Sequence, residues 1–160
     1  MRTLGKIIVG VLVCLLLVLL VLRITGLDPN GTRPGLWLRG NLVTTPVADW
    51  SFADKIQTIQ IQTRTWYLLP HSVNIGCASY NGHLYVGSIH VRPGVKYRWN
   101  ADVIRDPRVR LRIGNELYDR TLSLVTDPAE KAAMMQKKYK ETQLLSSRNL
   151  TSNMFRVSDN

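Results

Sequence analysis

The sequence predicts a mainly β domain with short helices, a six-stranded antiparallel barrel preceded by one N-terminal transmembrane helix. Three observations lead to this fold class. Sixteen consecutive uncharged residues, Ile7–Leu22, lie near the N-terminus. The dipeptide Asn81-Gly82 separates two alternating segments, which is a strong signal for a tight β-hairpin. Further short alternating segments and turns surround this hairpin, and such a series favours closure into a small barrel. The length of 160 residues suits one domain with a core.

The N-terminal apolar run is predicted to cross a membrane. A spanning helix needs about 20 apolar residues, and the run reaches that length if it extends to Thr25 while Arg23 reaches the headgroups. A cleaved signal peptide is the alternative, but the run is long for one and no small-residue cleavage site follows it. We therefore expect residues 1–25 to anchor a single-pass protein in a bacterial inner membrane. Basic residues flank both ends, so the orientation stays open.

The charge indicates anionic partners. Beyond the anchor the chain carries 18 basic and 11 acidic residues. A basic domain beside a bilayer is attracted to anionic lipid, and the same charge would attract a phosphorylated cofactor or a nucleic acid. The two cysteines are separated by the membrane boundary, because Cys14 lies in the anchor and Cys77 in the domain. They cannot pair within one chain and do not indicate a redox compartment.

Beyond the anchor we divide the chain into a linker over residues 26–44, which ends in a candidate short strand, a barrel domain over 45–145 and a polar, loose tail over 146–160. The elements of the domain, in order, are a short helix over 49–54, a strand over Lys55–Arg64, a hairpin over Ser72–Ile89, a turn over 91–95, a helix over Trp99–Arg105, strands over Val109–Ile113 and Glu116–Thr126, and a helix over 127–145.

Caps support the two longer helices. Asn100 is a candidate cap for the helix that Pro107 terminates. Asp127 followed by Pro128 and Glu130 opens the last helix with a cap, a first-position proline and a capping box. The predicted helix carries Ala132, Met135 and Tyr139 on one face.

The two-residue turn fixes the register of the hairpin, because the residues that flank the turn pair directly. Tyr80 then faces His83, and stepping outward along the strands brings Gly76 opposite Gly87. Alternation assigns Ile75, Cys77, Leu84 and Val86 to the core face, and Asn74, Gly76, Ala78, Tyr80, His83, Tyr85 and Gly87 to the other. The glycine pair is therefore a strip of bare backbone outside the core. Such a strip allows barrel curvature or admits the close approach of a flat ligand ring.

The order of elements resembles a known family. The segments that carry the resemblance are Ile59–Arg64, His71–Val73, Asn81–Ser88, Trp99-Asn100, Asp106–Leu111, Leu117-Tyr118 and Val125–Asp127. Over roughly residues 45 to 140 the chain is similar to the flavin- and deazaflavin-binding split β-barrel proteins, the group of pyridoxamine-phosphate-oxidase-like and deazaflavin-dependent nitroreductase-like proteins. The resemblance implies a homodimer with an FMN-type flavin or deazaflavin at the subunit interface.

The resemblance also implies the site residues. The phosphate end would be held by the matching residues Arg64, Ser72, Ser88, Lys96, Trp99 and Asn100. A helix start suits a phosphate because its N–H groups are unpaired. The ring would lie on the strip of Gly76 and Gly87, on the face that also carries Asn74. His71 either bonds the cofactor or is a partly exposed loop histidine, since its ordinary pKa permits both.

Other chemistries lack their residues in this sequence. His83 and His90 have no metal-ligand spacing, so no metal site is predicted. There is no glycine-rich phosphate loop and no nucleophile elbow. Arg108, Arg110 and Arg112 share one strand face without aromatic neighbours, which favours a solvated face over a nucleic-acid surface. If the protein is an enzyme, its cofactor therefore supplies the chemistry.

Two hypotheses follow for the function. The first is a membrane-anchored flavin- or deazaflavin-dependent oxidoreductase. The second is a cofactor-free, membrane-tethered binding module or accessory subunit with a membrane protein partner, in which the apolar segment Trp66–Leu69 makes the contact. In its favour, residues 65–70 replace the basic glycine-containing turn common before the hairpin of deazaflavin enzymes.

Overall fold

The computed structural model describes residues 2–56, 58–89, 97–138 and 152–159. The helices are α1 (Arg2–Thr25), α2 (Arg98–Arg105) and α3 (Pro128–Lys138), with a short 3₁₀ helix over Ser51–Lys55. The strands are β1 (Asn41–Val43), β2 (Thr58–Thr63), β3 (His71–Tyr80), β4 (His83–Ile89), β5 (Arg108–Ile113), β6 (Glu116–Leu124) and β7 (Ser152–Ser158). The predicted turn over 91–95 lies outside the described residues.

Six strands form a closed antiparallel barrel in the order β6-β5-β2-β3-β4-β7, and β7 returns to β6. The predicted six-stranded antiparallel barrel is therefore confirmed. Strand β1 stands outside this ring and pairs in parallel with the first half of β6. The second half of β6, from Thr121 to Leu124, is left free to pair with β7.

The hairpin has the predicted register. Tyr80 faces His83, and Gly76 faces Gly87 at the other end of the paired segment. Asn81 and Gly82 have φ angles of 49° and 77°. Both lie in the left-handed region that a two-residue hairpin turn requires, and Asn and Gly adopt it at the least cost. The local sequence thus determines the geometry of β3 and β4.

The predicted loose tail was wrong for Ser152–Ser158, which form β7. This strand pairs with β4 on one side and with β6 on the other, so it closes the barrel. Met154, Phe155 and Val157 are all buried. Residues 146–151 lie outside the described part of the chain.

The main core fills the barrel, and α2 covers the end where β2 finishes and β3 begins. Trp99 and Val103 of α2 belong to this core. The predicted cap was wrong, because Tyr97 is the N-cap residue. Asn100 lies one turn inside and donates its backbone N–H to the Tyr97 carbonyl at 3.1 Å.

A second, smaller core lies outside the barrel under α3. It contains Ala78, Tyr85, Val125, Met134 and Met154. Met134 is fully buried in this core, whereas Ala132 is exposed. The Met135 side chain and Tyr139, which share the predicted face with Ala132, lie outside the described part.

Tyr85 ties this second core to α3, because its phenol donates a 2.5 Å hydrogen bond to Glu130. Burial and the Glu130 carboxylate raise the pKa of Tyr85 to about 12. The neutral phenol is therefore favoured in the folded protein. Its contribution to stability is complete below the unfolded pKa of about 10 and is lost as the pH rises through about 12.

We predict that Tyr85 gives a transition near pH 12 in an ultraviolet phenolate titration. Burial also raises the pKa of Tyr118, so variants are needed to assign the transition to Tyr85. Glu130→Gln should move that late transition towards the ordinary tyrosine pKa of about 10, because it removes the negative charge beside the phenol. Tyr85→Phe should abolish the late transition and identifies it. A single transition for all tyrosines in the native protein would contradict the Tyr85–Glu130 contact.

Helix α1 and the linker lead directly onto the barrel. Within the segment Thr3–Thr25 a window of 18 residues has a mean hydropathy of 3.3, and the helix is long and apolar enough to cross a membrane. Gly26, at a φ of 76°, ends the helix and donates its N–H to the Leu22 carbonyl. Further along, Gly35 and Ser72 exchange backbone hydrogen bonds of 2.8 and 3.0 Å. The linker is thus attached by its backbone to the first part of β3.

Candidate functional site

An arginine-rich cleft lies on the outer face of β2, β5 and β6, and we call it the arginine cleft. Its volume is about 790 Å³, within the range of small-molecule sites. Its charged lining consists of Arg23, Arg64, Arg105, Arg108, Arg110, Asp106 and Asp119. Within the lining, five guanidinium groups against two carboxylates leave three positive charges in excess. One of the five, Arg105, also has the Asp102 carboxylate, outside the lining, at 3.7 Å. The cleft therefore attracts anions.

Two of these arginines are held in place by carboxylates. Arg108 donates from Nε and Nη2 to Asp106 at 2.8 and 2.7 Å. Arg110 makes the same two-pronged contact with Asp119 at 2.7 and 2.8 Å. The Arg108 hydrogen bonds lower the pKa of Asp106 to about 2. The Arg110 hydrogen bonds likewise lower the pKa of Asp119. Both pairs stay ionised at neutral pH, and each is neutral overall.

Arg64 and Arg23 supply the available charge of the cleft. Among the described residues, neither has a carboxylate within 4 Å. The field of Arg64 also contributes to lowering the pKa of Asp106 and of Asp119, so its side chain lies near both pairs. A guanidinium without a carboxylate partner has all its donors available for a phosphate. Arg64, a predicted phosphate ligand, thus lies in a cleft that attracts anions.

The rest of the cleft is partly apolar. Trp37, Leu38 and Leu68 line it. Leu38 is fixed by its backbone N–H, which donates to Gln62 Oε1 at 2.7 Å. A cleft that combines guanidinium groups with an indole and aliphatic side chains suits a ligand with one anionic end and one flat apolar part.

The other predicted site residues divide between the two faces of β3. Three of them lie on the barrel side. His71 is the first residue of β3, and Trp99 and Asn100 belong to α2, which covers that end of the barrel. His71 Nδ1 is 3.8 Å from Asp102 Oδ2, and the Trp99 ring lies 5.6 Å from that of Phe155 in the core. Burial lowers the pKa of His71, and the charge of Arg98 adds to this, so His71 is neutral at pH 7. These residues cover the barrel end.

Ser72, Asn74, Gly76 and Gly87 lie on the outer face, and the linker covers the first two. Ser72 is fully buried beneath Gly35. The Asn74 side chain donates to the Gly31 carbonyl at 3.1 Å. The linker therefore lies between the glycine strip and the arginine cleft, and one chain does not bring all the predicted residues together.

The glycine strip has a packing role of its own. A Cβ atom on Gly87 would lie 3.1 Å from the Asn153 carbonyl oxygen, so the absent side chain admits β7 at close range. Ala78 and Tyr85, beside the strip, are buried beneath α3. Ring binding at Gly76 and Gly87 stays a prediction. So does the role of Ser88, whose side chain is not described, and of Lys96, which lies outside the described residues.

Within the described residues, no group of three His, Cys, Asp or Glu side chains is arranged to hold a metal ion. The alternation of Arg108 and Arg110 predicts only a solvated face, and no sequence pattern predicts the cleft as a whole. The sequence signal for part of the cleft is Asp119. In the β5–β6 hairpin it pairs with Arg110, so the two opposite charges face each other on the outer face.

No protein-family model matches the sequence, and no curated protein does. Solved structures do resemble the fold. An F420-H2 dependent reductase superposes with a TM-score of 0.51 at 14% identity, over 64% of this chain and 95% of that one. A putative pyridoxamine 5'-phosphate oxidase from Listeria innocua gives 0.51 at 15% identity, over 65% and 84%. The heme storage protein HutZ from Vibrio cholerae gives 0.52 at 16% identity, over 68% and 85%.

Each of these likenesses covers about two thirds of this chain and most of the other. The reductase and the oxidase-like protein are both of the kind that the sequence resemblance named. The chain therefore has the split β-barrel fold of the flavin- and deazaflavin-binding proteins.

Proposed function

We propose that this protein is a membrane-anchored oxidoreductase that binds a phosphorylated flavin or deazaflavin in the arginine cleft. The observation that carries the proposal is the excess of three positive charges beside the apolar wall of Trp37 and Leu38. The split-barrel likeness to a reductase and to an oxidase-like protein supports it. The apolar helix Thr3–Thr25 supports the anchor.

Different residues of the cleft would bind different parts of the cofactor. Arg64 and Arg23 would hold the phosphate, because neither has a carboxylate partner among the described residues. Arg110, already oriented by Asp119, would present its remaining N–H donors to the same anion. Trp37 and Leu38 would cover the flat part and exclude water.

A bound flavin or deazaflavin supplies hydride transfer, so the protein needs only to bind and orient it. Because the linker separates the glycine strip from the cleft, the proposal assigns phosphate binding to the cleft. Ring contact at Gly76 and Gly87 is a separate prediction, as is the homodimer that the resemblance implies.

The test is a titration of the purified, detergent-solubilised full chain with FMN and with the deazaflavin F420, followed by fluorescence and absorbance. Riboflavin, which lacks the phosphate, is the matched control. We expect FMN or F420 to bind and riboflavin to bind much more weakly, because the cleft recognises the anionic end. Binding of neither phosphorylated cofactor would contradict the proposal. Equal binding of FMN and riboflavin would contradict the role of the arginines.

A cofactor-free binding module is the second candidate, and the surroundings of the glycine strip favour it. The linker covers Ser72 and Asn74 on one side of the strip, and α3 covers Tyr85 on the other. HutZ is a heme storage protein, so this fold is not restricted to reductases. Purification of the chain with a stoichiometric protein partner and without any chromophore would favour this candidate.

A further inference from the structure

The loop between β2 and β3 presents two large apolar side chains to solvent. Trp66 is 76% exposed and Leu68 is 93% exposed. Leu68 also has a φ of 68°, in the left-handed region that bulky residues rarely occupy. Single exposed apolar side chains are ordinary, but an exposed pair on one short loop indicates a contact surface.

The position of this loop indicates what it contacts. Leu68 and Arg23 line the same cleft, and Arg23 lies in the last turn of α1. The backbone bridge between Gly35 and Ser72 attaches the linker to β3 just after the loop. The loop tip and the end of the apolar helix are therefore at the same end of the barrel.

The surroundings of the loop have the chemistry of a membrane interface. Arg64 and Arg105 flank the loop and share the cleft with Leu68, and the Arg98 guanidinium lies 4.8 Å from the centre of the Tyr67 ring. Arginine side chains bind anionic headgroups. Tryptophan is enriched at the boundary between headgroups and acyl chains. An apolar tip within a basic rim matches the layering of an anionic bilayer surface.

We propose that Trp66 and Leu68 insert into the interfacial layer of the bilayer that α1 crosses, so that the arginine cleft opens at the headgroup surface. The proposal rests on the membrane anchor of the proposed function and does not require the cofactor. It means that a ligand with an apolar part can reach the cleft from the lipid.

The test uses the full chain in liposomes of phosphatidylcholine and phosphatidylglycerol, with Leu68→Cys labelled by the fluorophore NBD. His83→Cys is the matched control, because His83 is exposed and lies at the other end of β3 and β4. Cys77 is 5% exposed and Cys14 lies within the apolar helix, so the labelled wild type provides the background.

We expect aqueous dithionite to reduce the label at position 68 several-fold more slowly than the label at position 83. We also expect lipids with brominated acyl chains to quench the label at position 68 alone. Trp66→Ser should increase the dithionite rate at position 68, because the loop loses its tryptophan and with it the apolar contact that holds the tip in the interface.

Equal dithionite rates at the two positions would overturn the proposal. Slow reduction at position 68 without quenching by brominated lipid would also overturn it, because a second copy or another protein would then cover the loop. An alkaline carbonate wash tests the anchor separately. Release of the wild-type chain by that wash would overturn both the anchor and the insertion, whereas failure to bind a cofactor would leave the insertion standing.

Discussion

Replacing Phe155 with alanine is expected to lower the free energy of unfolding by about 3–5 kcal/mol, the usual cost of deleting a buried aromatic ring. Phe155 is 1% exposed and its ring centroid lies 5.6 Å from that of Trp99. It also lies on β7, which closes the barrel between β4 and β6. Domains are stable by only about 5–15 kcal/mol in total, so this one change removes a large part of the stability.

The measurement is denaturant unfolding of the detergent-solubilised chain, followed by tryptophan fluorescence. Ser158→Ala, at an exposed position of the same strand, is the control and should change the stability by less than about 0.5 kcal/mol. If Phe155→Ala also fell within that limit, β7 would not be part of the barrel in solution.

Arg64→Ala is expected to weaken the binding of FMN or F420 by about tenfold to a hundredfold, because a hydrogen bond to a charged group is worth about 1.5–3 kcal/mol and each 1.4 kcal/mol is tenfold. Arg64 has no carboxylate within 4 Å among the described residues, so its removal leaves no unpaired charge behind. Arg64→Lys should weaken cofactor binding less than Arg64→Ala does, since lysine keeps the positive charge but lacks the planar guanidinium group.

The control is Arg39→Ala, which removes one exposed positive charge outside the lining of the cleft. The affinity of Arg39→Ala for FMN or F420 should stay close to that of the wild type. Riboflavin affinity should be the same in all these variants, because riboflavin carries no phosphate. An equal loss in Arg39→Ala would show that only the net charge matters, and no loss in Arg64→Ala would remove Arg64 from the site.

The sequence was most informative where local geometry determines the structure. Asn81 and Gly82 accept positive φ angles, and a two-residue turn fixes which residues pair, so the register from Tyr80–His83 to Gly76–Gly87 could be written down in advance. The same alternation already separates His71 from Gly76, because an odd spacing places them on opposite faces. The predicted site nevertheless included both His71 and Gly76, and in the structure they lie on opposite faces of β3.

Long-range pairing could not be predicted in the same way. The strand β7 has buried side chains on both faces, Met154 on one and Phe155 with Val157 on the other, so it lacks the alternation of a half-buried strand. The arginine cleft depends on Arg23 from α1 lying near Arg64 and Asp119. No local pattern reports such a proximity, because it exists only once the linker has attached to β3.

The position of β7 in the chain has a consequence for biogenesis. Its partner strand β4 is made more than sixty residues earlier, as the pairing of Tyr85 with Arg156 shows, and pairing across such a separation is slow. During synthesis the apolar helix emerges first, while the edge of β4 and the second half of the β6 edge have no partner strand. Exposed strand edges invite pairing with other chains. A nascent copy is therefore most vulnerable to misassembly in the interval before its closing strand leaves the ribosome.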